Sequence, residues 1–348
     1  MKDKVLTVSI AAYNCERFIA KTLEPFCGLK NIDKVEIFVI DDGGTDNTLQ
    51  IAETYRDQLG ESLKTVHKQN GGWGSTVNYS ILNSNGKYLK LLDGDDFFES
   101  ENLDDFIEFL EKSDSDLVSS PYVSFNDETG QVVEKLFEYS DIKFGIDYFT
   151  EDVCQKPSLI SMHALAVKVE MLQNNEISLP EHCFYTDNEF SIKSLINAKT
   201  VSFFDKPIYW YRTGLAGQSI SPEGNSKHYL DTIITTESLC AYINDNKQKM
   251  GEKKAAYIHD LMCGRCGVPY SKFLSIPFNE KYLNALKEYD EWITENCPEY
   301  SDSLKYSNSK IFDIASSCFR KKHMNGYKFF SIPFKAKALA KRIIKRRH

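Results

Sequence analysis

The chain has 348 residues, of which 42% are hydrophobic and 26% charged, with a formal net charge of −8 and a pI of about 5.5. That length allows about two domains with a sizeable core. The acidic balance excludes nucleic acid as the main partner, because the basic footprint of such binders is missing. The apolar run after Met1-Lys2-Asp3-Lys4 is too short for a signal peptide, and no run reaches the roughly 20 apolar residues of a membrane span, so a cytoplasmic protein is expected.

Val5 to Ile10 reads as a first strand, broken by Ala11-Ala12-Tyr13-Asn14. Glu16 to Phe26 has helical spacing, with Phe18, Ile19, Leu23 and Phe26 on one side. Val35 to Ile40 is a second strand, rich in β-branched residues, and ends in Asp41-Asp42-Gly43-Gly44-Thr45-Asp46. A helix over about 47–59 follows, with Thr45 or Asp46 as its N-cap. Leu63 to His67 is a third strand, Asn70 to Gly74 a glycine-rich loop, and a helix runs on through Leu82. Tyr88 to Leu92 is the fourth strand and stops at Asp93-Gly94-Asp95-Asp96. Such alternation means βαβ units, an α/β class, and a mostly parallel sheet with helices on both faces.

Further on the pattern loosens. Asp116 to Ser120 is a fifth strand, Val123 to Tyr139 a hairpin around Asn126 to Gly130, and Ser161 to Val169 a further strand. Asp187 to Ile196 is helical, and Thr200–Phe204 and Pro207–Arg212 are extended. From about residue 225 the pattern is helical, over 228–244, 252–274, 279–295 and about 302–319. The expected division is therefore 1–225 and 226–348.

Both acidic clusters follow strands, so they fall on one edge of the sheet, where ligands of open α/β folds bind. Asp93 and Asp95 are two residues apart, and an extended backbone would aim both the same way, with Gly94 allowing the turn. Two hard oxygen ligands suit Mg²⁺ or Mn²⁺ together with phosphate. The competing reading is a solvated acidic turn that caps the next helix. Asp41-Asp42 would accept hydrogen bonds from a ribose or a base.

Nine scattered cysteines give no disulfide framework. Cys263-Gly264-Arg265-Cys266 lacks a second zinc-binding pair, and Cys240 and Cys297 are distant in sequence, so structural thiols on a helix are expected. His163 reads as a satisfied structural residue or an acceptor contact at the cleft floor. Trp73 either stacks on a sugar or packs. Residues 335–348 hold seven Lys and Arg and no acid, with Ala336, Leu339 and Ile343 on one helical face. That pattern reads as a surface helix on the inner membrane leaflet, or as a solvated terminus.

Four segments, Val8 to Asn14, Val39 to Asp46, Asn70-Gly71-Gly72 and Leu92 to Asp96, resemble in order and spacing the family 2 glycosyltransferases of the GT-A fold. The resemblance is strong over 5–115, fair to about 220, and does not reach the helical region. The non-processive bacterial branch, which builds surface polysaccharides, is the most similar. The Q-x-x-R-W motif and the spans of the processive synthases are absent, and Tyr211 to Ser219 stands roughly where that motif would be.

The resemblance implies an inverting transfer from a UDP-sugar to a hydroxyl of a saccharide acceptor, lipid-linked in this branch, with Mn²⁺ or Mg²⁺ as cofactor. It puts Tyr13 and Asp42 on the nucleotide base, Asp93 near the ribose and metal, Asp95 on the metal itself, and Asp187 as general base. Asp96 becomes a helper or the N-cap of the following helix. Thr186 and Glu189 also fit a capping box around Asp187. Where many relatives carry Arg before Asn78 this chain has Val77, so Lys68, Lys87, Lys90 or Arg212 would meet the diphosphate, or the metal alone would. Gly71 and its neighbours offer backbone N–H groups at a helix start, unless the loop is only a tight strand-to-helix turn. Arg212 and the loop Gly214–Ser221 would close as a lid. The helical region reads as an acceptor platform, an interface between copies of the chain, or both. Two other classes compete: a non-catalytic nucleotide-sugar-binding scaffold, and a nucleotidyltransferase, which would want a basic glycine-rich loop after the first strand.

Overall fold

The computed structural model describes residues 4–136, 141–215 and 222–345. The chain divides into two compact units, residues 1–215 with 246–254, and residues 216–245 with 255–348.

The first unit is built on an eight-stranded sheet. Its strands are β1 (Lys4–Ala12), β2 (Val35–Asp41), β3 (Leu63–His67), β4 (Gly86–Asp93), β6 (Leu117–Ser119), β9 (Asp147–Phe149), β10 (Leu165–Lys168) and β11 (Thr200–Phe203). A smaller sheet holds β5 (Phe97–Phe98), β7 (Tyr122–Asn126), β8 (Val132–Leu136) and β12 (Tyr209–Thr213). The order of the large sheet is β3-β2-β1-β4-β10-β6-β11-β9, and that of the small one β5-β12-β7-β8. Strands β1 to β4 pair in parallel, whereas β10 runs antiparallel to both neighbours. All seven residues of β2 are buried, as a strand covered on both faces requires.

The chain runs outward from β1 to β3 and returns to β4 on the other side of β1. This reversal creates the crevice at which α/β sheets bind ligands. The register makes it an acidic crevice. Ala12 lies opposite Asp41 and Ala11 opposite Asp93, so both carboxylate clusters leave the sheet at one level on either side of β1.

Several expected elements differ in detail. The Glu16–Phe26 helix is confined to Ile19–Leu23 plus a 3₁₀ turn over Glu24–Phe26. The helix over 47–59 breaks into Thr48–Glu53 and Arg56–Leu59. Asp46 still serves its start, because its Oδ1 accepts from the Thr48 N–H at 3.0 Å. The last predicted helix begins later, at Lys310, after a short Pro298–Ser301 turn. The second unit is helical, with Tyr229–Asn246, Glu252–Ser275, Glu280–Asn296, Lys310–Lys321 and Ile332–Lys345 as its longer helices. Its core brings together what the sequence holds apart. Cys240 Sγ lies 3.6 Å from Cys266 Sγ, and Cys297 also bonds to Cys240. All nine cysteines are free thiols.

One buried cation fixes the join between β4 and β10. Lys90 on β4 is fully enclosed, and its Nζ donates to the carbonyls of His163 at 2.9 Å and Leu165 at 3.2 Å. Burial pushes its pKa down to about 7. The unfolded chain keeps this proton until a pH of about 10.4. Between those values the folded chain has released a proton that the unfolded chain still holds, so stability rises with pH, by at most about 1.4 kcal/mol per pH unit. Below the folded value the full cost of the buried charge is present. Lys90→Met is expected to remove this slope. Urea unfolding of both proteins at about pH 7 and about pH 9 measures it, and equal slopes would contradict the assignment.

Candidate active site

Asp93 ends β4, and the chain turns at once, with the Asp96 N–H donating to the Asp93 carbonyl at 3.0 Å. The acidic residues therefore converge through a tight turn, not through the extended backbone the sequence suggested. Gly94 is required here, since a Cβ would stand 2.8 Å from the Ala11 carbonyl oxygen and from Cys15 Sγ. Trp73, the first residue of the Trp73–Asn83 helix, donates its indole N–H to Asp93 Oδ1 at 2.8 Å. Burial and then the charge of Asp95 push the Asp93 pKa up to about 7, with a further contribution from Asp187. Burial also raises Asp95, partly offset by Arg212.

Asp96 is neither a helix N-cap nor an open ligand. The next helix spans Ser100–Lys112, with Glu99 at its cap. Asp96 is buried, accepting from Tyr209 Oη at 2.6 Å and from the Arg212 N–H at 2.7 Å. Burial, then Asp93 and Asp95, hold its pKa well above the usual carboxylate range. It ties the acidic turn to β12. The Tyr209 hydroxyl also accepts from the Asp93 N–H at 3.2 Å.

Tyr13, just beyond β1, is 55% exposed at the lip, and its ring is open to a ligand. Asp42 is committed to its own chain. Its Oδ1 accepts from Lys68 Nζ at 2.8 Å, the Gly71 N–H at 2.9 Å and Ser75 Oγ at 3.2 Å, and its Oδ2 from the Gly72 N–H at 2.7 Å. Three of these contacts crowd Oδ1, and Oδ2 accepts one. Oδ2 thus keeps one acceptor site. The same contacts spend the Gly71 and Gly72 amides, which were expected to face phosphate.

Asp187 opens the Asp187–Asn197 helix. The expected capping box is absent: Thr186 makes no side-chain cap bond, and Glu189 pairs with the buried Lys193 at 2.7 Å. Glu189 points into the core, where that pairing outweighs a cap. Asn188 donates to one oxygen of Asp187, Oδ1, at 3.2 Å. The segment before this helix is pinned to the glycine loop. Asn78 accepts from the Leu179 N–H at 2.8 Å and donates to the Leu179 carbonyl at 2.9 Å, and the His182 N–H donates to the Gly71 carbonyl. Close packing explains Gly74, where a Cβ would run into the Pro180 carbonyl.

The cations considered for the diphosphate are all engaged. Lys68 is bound to Asp42, Gln69 and Ser75, Lys87 pairs with Asp114 at 3.0 Å, and Lys90 is in the core. Arg212 is buried; its Nε donates to the Asp95 carbonyl at 2.5 Å and its guanidinium pairs with Asp127. It braces the acidic turn from behind. The loop expected to close with it is described only as far as Leu215.

His163 packs among Tyr122, Tyr209 and Tyr211, with ring centroids 5.0, 4.9 and 4.6 Å away. Burial and the charge of Lys90 push its pKa down to about 3, so the imidazole is neutral. Tyr211 is pushed up by burial and then by the charges of Asp96, Asp93, Asp95 and Asp187. Trp73, Tyr209, Tyr211 and Asn78 were not assigned these roles from sequence. Their partners lie 20 to 116 positions away.

Among the described residues, one trio of metal-type donors has its ligand atoms within 4.8 Å: Asp93, Asp96 and His163. Both Asp96 oxygens already accept hydrogen bonds, so the donor set that suits a hard cation is Asp93 with Asp95. Both carboxylates are desolvated, and the charge of Asp95 raises the Asp93 pKa. A divalent ion would remove that repulsion, and the residues fit one.

Residues 7–165 match the family model for glycosyl transferase family 2. An uncharacterised glycosyltransferase of Mycoplasma pneumoniae, the MG060 homologue, is 37% identical over 34% of this chain and 40% of its own length. The poly(ribitol-phosphate) beta-N-acetylglucosaminyltransferase TarS of Staphylococcus aureus is 26% identical over 62% of this chain and 36% of its own. This chain thus spans less than half of those two relatives. The putative glycosyltransferase EpsH of Bacillus subtilis aligns at 23% identity over 98% of this chain and 96% of its own. The crystal structure of TarS residues 1–349 with UDP-GlcNAc superposes with a TM-score of 0.67, at 19% identity, over 96% of this chain and 92% of that one. The fold is thus GT-A-like, and residues 7–165 are similar to glycosyl transferase family 2.

Proposed function

We propose that this protein transfers a sugar from a UDP-sugar to a hydroxyl of a saccharide acceptor, with inversion at the anomeric carbon and with a divalent cation as cofactor. The observation that carries the reading is the register that brings both acidic clusters out at one level at the switch point, where the charges of Asp95 and Asp187 act on Asp93. A role for UDP is supported by the similarly folded TarS domain, whose crystal structures hold UDP-GlcNAc and UDP. The acceptor we propose is lipid-linked, with the enzyme working at the cytoplasmic face of a membrane. Among the described residues, no helix is long and apolar enough to cross one.

In this mechanism the Tyr13 ring stacks on the base. Asp42 acts one step back, holding the Gly71–Gly72 loop in place. Asp93 and Asp95 would hold the cation, which would supply Lewis-acid stabilisation of the departing diphosphate. Arg212 and Tyr209 keep those two carboxylates in position. Asp187 takes the proton of the acceptor hydroxyl through its oxygen not bonded to Asn188. The hydroxyl oxygen bonds to the anomeric carbon, the bond from that carbon to the diphosphate breaks, and its electron pair leaves with UDP. A single displacement of this kind needs one base and no covalent intermediate.

Two results are expected. Asp187→Asn should lower UDP release, assayed over a panel of sugar donors, by roughly 10²–10⁴-fold, while UDP affinity by calorimetry stays within about twofold. A variant that keeps most of its turnover would refute the base. Secondly, Mn²⁺-supported UDP binding should be lost on chelation and in Asp95→Ala. It should also strengthen as pH rises through about 7, because Asp93 must lose its proton to act as a ligand. Trp73→Phe removes a bond that favours the Asp93 carboxylate, so its midpoint should move to higher pH and its affinity at neutral pH should fall about tenfold. Binding indifferent to chelator would contradict the cation.

A further inference from the structure

The Ile332–Lys345 helix ends the described chain with its apolar side turned the wrong way for a packed helix. Phe334 is its anchor, stacked on Phe312 of the Lys310–Lys321 helix with ring centroids 4.5 Å apart. At 100° per residue, Ile332, Ala336 and Leu339 lie on the side opposite Phe334. All three are exposed, Ile332 at 56% and Leu339 at 60%. The neighbouring helix exposes Ile311 and Ile314, and Phe329 between the two helices is 69% exposed. A run of large apolar side chains presented to solvent marks an interaction surface.

Charge identifies the occupant. After Asp313 the sequence contains no Asp or Glu and eleven Lys and Arg, in a chain whose formal net charge is −8. Lys335 and Lys337 lie on either flank of the stripe. Their ammonium groups stand over Tyr327 at 5.1 Å and Phe312 at 4.8 Å. The helix is too short and too charged to cross a membrane. An exposed apolar stripe between basic flanks is the pattern of a helix lying in the headgroup layer of an anionic bilayer.

We propose that the Ile332–Lys345 helix is a docking surface for an anionic lipid bilayer, entering it through Ile332, Ala336 and Leu339. This docking stands apart from the sugar-transfer chemistry. It gives that chemistry a place on the surface where a lipid-linked acceptor is held.

Vesicle flotation of the full chain tests it, with phosphatidylcholine alone and with phosphatidylcholine mixed with phosphatidylglycerol. The protein should float with the mixed vesicles only, and less as salt rises. The double variant Ile332→Asp/Leu339→Asp should lose at least about tenfold in recovery, since two buried apolar side chains are removed. Its circular dichroism and its UDP release should match wild type, because both positions are exposed and outside the catalytic machinery. Asp95→Ala should float like wild type, which separates failure of this surface from failure of the catalytic reading. Equal recovery on both vesicle types, or full recovery of the double variant, would overturn the proposal. So would a wild-type dimer in sedimentation that the double variant dissolves without any vesicle binding.

Discussion

Negative charge held out of water at the mouth of the sheet is the constraint that the rest of the first unit serves. Two like charges about 5 Å apart repel by roughly 3 kcal/mol at an effective dielectric of about 20. The charges of Asp95 and Asp187 act on Asp93 in this way, and those of Asp93 and Asp95 act on the buried Asp96. Little in the immediate chain offsets the cost. The compensation is imported: an indole N–H from Trp73, a phenol from Tyr209, and the guanidinium of Arg212, which is shared with Asp127. Desolvated acids that are braced but not neutralised are the pattern of a candidate functional site.

The bracing also explains why the glycine loop is not the phosphate cradle its composition suggested. Loop amides at a helix start are good anion binders, but an anion is already there. Asp42 occupies the Gly71 and Gly72 amides from within the chain. The outcome is a stiff loop whose value lies in what it carries, namely Trp73 on one side and the contact with the 179–183 segment on the other.

Sequence revealed most where the signal was local. The β-branched run of β2 and the short apolar run of β4 are strands because both of their faces are covered, and each stops where carboxylates begin. The two acidic clusters were legible as neighbours because the parallel register of a switch point requires it. Local reading failed where distant atoms decided the outcome. Glu189 had the spacing of a capping partner, yet a buried lysine one turn on took it. Asp96 looked like a helix cap, yet Tyr209, 113 positions later, claimed it. Cys240, Cys266 and Cys297 show no motif along the chain, and they meet only because helices bring them together. The antiparallel entry of β10 was equally hidden, because four residues of apolar strand do not announce their direction.

Asn78 imitates a neighbouring strand: its amide both gives to and takes from the backbone of Leu179. The helix that carries Trp73 and the segment that leads to Asp187 are thereby latched as one body. A displacement of either is therefore passed to the other.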